Sequence, residues 1–364
     1  MKNGDIIRYL EQQIPPALQE SYDNSGIQTG SVNDAAKAAL LAFDVTEQII
    51  DEAVHHGCNL VISHHPVIFT PLRRISDATP AERIITKAVR NGITIYSAHT
   101  SLDSVYGGVS FRLAEKIGLN DVEVLSPAKD KLLKLVTFVP TAHIEKVRSA
   151  VFAAGAGHIG NYDSCAYHLS GEGSFRGNQD SDPFAGKRGE LHFEKEIRFE
   201  TILPSYLRNE VVRALVRSHP YEEPAYDIYP LMNEWTMAGL GAVGVLGEEL
   251  TGQEFLKLCA KVLNPACLRY SAPPERMIKK VAVCGGSGSS IIAAAVSKGA
   301  DAFVTGDIKY HSFLEASGSM LLVDAGHYET EKFAMEIIYD MLIKKFPNFA
   351  LRFSETETNP INCY

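Results

Sequence analysis

Imidazole and carboxylate side chains recur at corresponding places along this chain. Each short apolar run in its first third ends on them: AALLAF (38–43) on Asp44, NLVIS (59–63) on His64 and His65, ITIYSA (93–98) on His99 and then Asp103. The pattern returns near the end, where AFVTG (302–306) leads to Asp307 and His311, and MLLVDA (320–325) leads to His327 and Glu331. In an open α/β sheet, ligands bind beyond the carboxyl ends of the strands. His, Asp and Glu converging there form the donor set of a divalent transition metal.

Spacing refines this reading. His327 and Glu331 are four apart and share one face if a helix begins there. His64 and His65 are adjacent, so in a continuing strand they point to opposite faces. Two metals set apart, each taking one histidine, resolve that conflict. Three histidines then offer three bonds, and Asp103 and Glu331, if both bridge, offer four more. That falls short of the roughly eight bonds two four-coordinate ions need, which leaves positions for water or substrate and signifies a catalytic centre. Asp44, His99, Asp307 and His311 stand as partners that orient the ligand imidazoles, or as merely polar strand ends.

These side chains need a scaffold that delivers strand tips. The first third alternates strands with helices over about 46–56 and 80–91, and the last part does the same with helices near 288–298, 309–316 and 330–345. Such alternation implies βαβ units and a mostly parallel sheet. Between them the texture changes. KLVTFVP (134–140) and EIRFETILP (196–204) each end in proline at a helix start, and the helices lead on to SCAYHL (164–169) and AYDIYPL (225–231). This internal repeat reads as a ferredoxin-like module. Gly171–Gly189 reads as a long polar loop, with Arg176, Lys187 and Arg188 available to an anion or simply solvated. The expected organisation is therefore a split, mostly parallel α/β domain (1–127 and 237–364) with an inserted ferredoxin-like α+β module at 130–235, and Trp235 packing near the boundary.

Composition narrows the function classes. Lys and Arg number 35 against 44 Asp and Glu, a net charge of −9, which argues against a phosphate-backbone binder. The N-terminal 20 residues read as an amphipathic helix rather than a signal peptide, and the sequence holds no membrane-spanning apolar run, so the expected compartment is the cytoplasm. Six cysteines without a CxxC pair fit reduced thiols. Gly285-Gly286-Ser287-Gly288 follows a strand but lacks a third fingerprint glycine, Ile291 standing there, so it reads as a backbone anion nest rather than a dinucleotide turn. His55-His56, by contrast with His64-His65, sits in the last turn of a helix and reads as a dipole-favoured pair.

HHP (64–66), AHTSLD (98–103), TGDIKYH (305–311) and DAGHYETE (324–331) resemble, in this order, the motifs of the Nif-three-like dinuclear-metal family, many of whose members carry the name GTP cyclohydrolase 1 type 2 homolog. Ser101 stands where many members have Asn. The resemblance implies a two-metal centre with His64, His65, Asp103, His327 and Glu331 as ligands, Asp103 and Glu331 bridging, and a toroidal homohexamer. It also implies that 130–235 is similar to the PII-like and CutA-like fold. The expected cofactors are two divalent ions per subunit, zinc first, with iron, manganese or nickel as alternatives. The expected function is a metal-dependent hydrolase acting on a small molecule by metal-hydroxide attack, as in a GTP cyclohydrolase. The competing expectation is a non-catalytic metal-binding scaffold or regulator with the insert as sensor, and a weaker one is metal storage or delivery.

Overall fold

A computed structural model describes residues 1–271, 277–316 and 318–363. Helix α1 (Asn3–Gln13) stops just before Pro15 and Pro16, which have no N–H to continue it. Strands β1 (Gly26–Thr29) and β2 (Ala38–Ala42), helix α2 (Glu47–His55), strand β3 (Leu60–Ser63), helix α3 (Pro80–Arg90) and strand β4 (Thr94–Ser97) follow. Thr46 and Thr79 cap α2 and α3 by accepting from the backbone of Ile49 and Glu82. Beyond β4 come two helices, α4 (Thr100–Ser104) and α5 (Val109–Ile117), then strand β5 (Leu119–Ala128).

The middle of the chain forms strand β6 (Leu132–Pro140), helix α6 (Ile144–Ala153), strands β7 (Ala166–Phe175) and β8 (His192–Pro204), helix α7 (Arg208–Ser218) and strand β9 (Tyr226–Leu231). They make one antiparallel sheet in the order β7-β8-β6-β9. Leu135, Val139, Phe199 and Leu203 pack under Val147, Val151, Val211 and Leu215, so the two helices cover one face and leave the other uncovered by helix. The polar loop is shorter than expected, because β7 runs on through Gly171 and Gly173 to Phe175.

The remainder supplies strand β10 (Trp235–Leu250), helix α8 (Gly252–Leu263), strands β11 (Arg269–Tyr270) and β12 (Ile278–Ser287), helix α9 (Ile292–Ser297), strand β13 (Ala302–Gly306), helix α10 (Tyr310–Ala316), strand β14 (Leu321–Asp324), helices α11 (His327–Glu331) and α12 (Ala334–Lys345) and strand β15 (Ala350–Phe353). The continuous helix expected over 330–345 is thus two helices, and the one expected over 288–298 is a 3-10 turn, Ser289–Ile291, followed by α9.

The alternating segments build two sheets rather than one. The first has the order β1-β4-β3-β2-β15, with β15, β2, β3 and β4 parallel and β1 antiparallel. The second has the order β11-β14-β13-β12-β10-β5, its central β12, β13 and β14 parallel. Both carry helices on their two faces, which is why their central strands read as unbroken apolar runs. Leu41, Ile62 and Tyr96 pack on α1 and α12, and Leu40 and Ile95 on α2 and α3. Val281, Val283 and Val323 pack on α5 and α8, and Phe303 and Leu322 on α9 and α10. The result is a mixed α/β protein with mostly parallel sheets and a separate antiparallel sheet. It divides into two compact units, Met1–Pro127 with Met237–Tyr364, and Ala128–Thr236.

Candidate metal centre

The tips of both parallel sheets meet in the first unit. Strand β3 ends at Ser63, and the backbone N–H groups of His64 and His65 both donate to the carbonyl of Phe43, each at 3.2 Å. The chain therefore bends where strand alternation was expected to continue. Instead of pointing to opposite faces, both imidazoles reach one carboxylate: Nε2 of His64 lies 3.4 Å and Nε2 of His65 3.3 Å from Glu331 Oε2. Phe43 packs its ring on both imidazoles and on Tyr328 and so buttresses the bend.

His327 and Glu331 occupy the two ends of α11, one turn apart, with His327 Nε2 3.0 Å from Glu331 Oε2. Asp103, in α4, places Oδ1 3.7 Å from His64 Nε2. Donor atoms group into trios within 4.8 Å of one another: His65, His327 and Glu331; His64, Asp103 and Glu331; and His64, His65 and His99. Glu331 stands in two of them and Asp103 in one.

Each imidazole is oriented through its Nδ1. Asp44 Oδ1 holds His65 at 2.7 Å, Asp307 Oδ2 holds His327 at 2.7 Å, and the carbonyl of Ala98 holds His64 at 3.0 Å. An oxygen acceptor on Nδ1 fixes the proton there and leaves Nε2 as a lone-pair donor facing the cluster. His99 follows the same rule, with Nδ1 2.7 Å from Asp23 Oδ1. Asp23 also accepts from the backbone and hydroxyl of Thr100 and from Ser25. Asp23 is the member that the strand-tip reading missed, because it precedes the short β1, which shows no apolar run. Its only local sign is the turn sequence Asp23-Asn24-Ser25-Gly26. His311 lies exposed on α10 with its ring against Tyr310 and touches none of these groups among the described residues.

The electrostatics favour positive charge. Burial opposes protonation of His65 and His327, but Asp44 with Glu331, and Asp307 with Glu331, outweigh it and raise the two imidazoles to about 9 and about 11. Burial, with Glu331 beside it, pushes the Asp103 carboxyl up to about 7. The surrounding imidazoles overcome burial at Glu331 and hold it well below its ordinary value.

The donor set fits a metal ion on one direct observation: His64 Nε2, Asp103 Oδ1 and Glu331 Oε2 are buried and have no hydrogen-bond partner. Orphaned buried polar atoms are costly, and a shared cation satisfies several at once. The glycine run before α9 serves the same cluster. Gly286 has φ +57°, and a side chain there would begin 2.0 Å from Glu331 Oε1, so glycine makes room for the carboxylate. Beside the donors lies a cavity of about 370 Å³, bordered by His99, Ser287, Ser290 and the exposed rings of Tyr22 and Phe69.

Known proteins are similar to this chain in sequence and in fold. The family Duf34/NIF3 (NGG1p interacting factor 3) matches residues 1–360. A Halalkalibacterium halodurans protein named GTP cyclohydrolase 1 type 2 homolog is 44% identical over 345 residues, covering 94% of this chain and 92% of its own. A Bacillus subtilis protein of the same name is 42% identical, covering 98% of each chain. The crystal structure of a Bacillus cereus protein related to NIF3 superimposes with a TM-score of 0.84 at 38% identity, covering 100% of this chain and 99% of that one. With its motifs, its fold and a match over nearly its whole length in agreement, the chain belongs to the Duf34/NIF3 family.

Proposed function

We propose that this protein is a metal-dependent hydrolase with two divalent cations per subunit, held by His64, His65, Asp103, His327 and Glu331. The observation that carries the proposal is Glu331 Oε2, buried, without a hydrogen bond, and within 3.4 Å of three imidazole Nε2 atoms. His65, His327 and Glu331 would hold one cation, and His64, Asp103 and Glu331 the other. Bound there, the two cations would supply Lewis acidity and a water acidic enough to attack near neutral pH. Asp44, Asp307 and the Ala98 carbonyl keep the Nε2 lone pairs aimed inward. Tyr22 and Phe69 flank the cavity in which a small substrate would lie. His99, fixed by Asp23, offers one further donor toward His64 and His65.

The relatives' name makes a GTP cyclohydrolase-like hydrolysis the first reaction to test. The proposal includes zinc as first occupant, with iron, manganese or nickel as alternatives, a toroidal homohexamer, and a cytoplasmic location. No helix among the described residues is long and apolar enough to cross a membrane. Glu331→Gln is the test. Elemental analysis should lose about one metal equivalent per subunit, and hydrolysis of GTP should cease. Full metal content in the variant would contradict the assignment.

A second reading, a metal-binding regulator whose Ala128–Thr236 unit senses a ligand, draws support from a cavity on that unit's sheet. Screening the intact, metal-loaded protein across nucleotides and phosphoesters separates the two: turnover fits the hydrolase, and no turnover on any of them fits the non-catalytic regulator.

A further inference from the structure

The face of the antiparallel sheet that the helices leave bare is partly roofed by the chain between β7 and β8. Under that roof lies a cavity of about 570 Å³, larger than the one beside the metal-site residues and within the range of small-molecule sites. Its walls are the rings of Phe138, Phe175, Phe184 and Tyr221. Tyr221 sits between Phe175 and Phe184, with ring centroids 5.6 and 6.2 Å away.

Arg176, Arg198 and four glutamates also line the cavity, and of these acids Glu196 alone is buried, with Glu172, Glu222 and Glu223 exposed. Glu196 is only 8% exposed, and its Oε1 accepts from the Tyr221 hydroxyl at 2.7 Å. Its Oε2 takes no hydrogen bond from any described residue. The sheet makes room for this carboxylate: a side chain at Gly173 would begin 2.3 Å from Glu196 Oε2. Gly171 pairs with Glu196 across the sheet, so both face the same way, and a side chain at Gly171 would meet nothing within 4 Å. The two glycines that first read as loop are therefore the floor of the cavity.

The support behind the carboxylate is also fixed. His219 is buried, donates from Nε2 to the carbonyl of Phe138, and accepts the Tyr221 backbone N–H at Nδ1, an arrangement only the neutral ring makes. Burial lowers its affinity for a proton, in agreement. His219 thus sets Tyr221, and Tyr221 sets Glu196.

We propose that this cavity is a second ligand site, taking a flat heteroaromatic ring that stacks among Phe138, Phe175 and Tyr221 and points adjacent N–H donors at Glu196. A carboxylate accepts and never donates, so a ring edge carrying two neighbouring donors matches it best. Among the common nucleobases that edge is guanine's, which makes guanosine the probe. The site is independent of the metal-site proposal, since none of its residues belongs to that cluster.

The experiment is isothermal titration of the full-length, metal-loaded protein with guanosine and, as comparison, adenosine, whose edge offers a donor beside an acceptor. Three proteins are titrated: the natural chain, Glu196→Gln, which changes the acid, and Gly171→Leu, which keeps the acid and fills the floor. Circular dichroism and metal content confirm that each variant is folded and loaded. The proposal expects guanosine to bind at least tenfold more tightly than adenosine. It expects Glu196→Gln to weaken guanosine at least tenfold and Gly171→Leu to remove binding. Failure of guanosine to bind, equal binding of the two nucleosides, or guanosine binding unchanged in either variant would overturn it.

Discussion

Asp307→Asn separates the orienting role of a carboxylate from the donor set itself. Asp307 holds His327 Nδ1 at 2.7 Å and touches no other imidazole of the cluster, so the change acts on one side of the centre. The substitution suits the backbone as well. Asp307 has φ +56°, a left-handed conformation that asparagine tolerates and most residues resist. The fold should therefore survive, while the imidazole loses a charged acceptor and gains an amide that can also present N–H to it. Removing such a partner weakens metal binding by about 10–100-fold, equivalent to roughly 1.4–2.7 kcal/mol. Because His327 belongs to the trio with His65 and Glu331 and not to that with His64 and Asp103, the loss should fall on one of the two proposed metal equivalents. Competition against a chromogenic chelator, read stepwise and normalised by elemental analysis, measures this. Two unaltered equivalents in a folded variant would refute the reasoning, and so would equal weakening of both.

Three further outcomes follow from the same structure. Gly286→Ala places a methyl group 2.0 Å from Glu331 Oε1 at a φ of +57°, so metal content should fall although no donor is removed, with about 1–2 kcal/mol lost in urea unfolding. Phe303→Ala empties a fully buried site in the second sheet and should cost about 3–5 kcal/mol, seen as a lower urea midpoint at unchanged slope. Burial opposes ionisation of Glu52, but donors from Thr356, Ser354 and Glu355 outweigh it and hold its carboxyl below the ordinary value. A depressed carboxyl stabilises above its unfolded value and loses that contribution as pH falls through the folded one. Amide exchange at 354–356 should therefore accelerate in acid at constant intrinsic rate, and Glu52→Gln should produce the same acceleration at pH 7.

Several residues of the cluster are legible in sequence because chemistry at a strand tip needs a reactive residue close after an apolar run. Asp44, His64, His65, Asp307 and His327 each satisfy that local rule. The alternation of strands and helices, and the proline-ended repeat of the middle segment, were legible for the same reason: they are periodicities of burial, and burial leaves its mark residue by residue. What the chain order does not encode is pairing. That β12–β14 form a sheet separate from β2–β4, while β15 crosses back to β2, depends on contacts between segments hundreds of residues apart. The bend that sends His64 and His65 to one carboxylate depends on a carbonyl from another strand, Phe43, and the role of Asp23 depends on a histidine 76 residues away. The glycines at 171 and 173 read as loop because lack of a side chain has two causes, freedom of the backbone or space required by a neighbour. Only the neighbour, Glu196, distinguishes them.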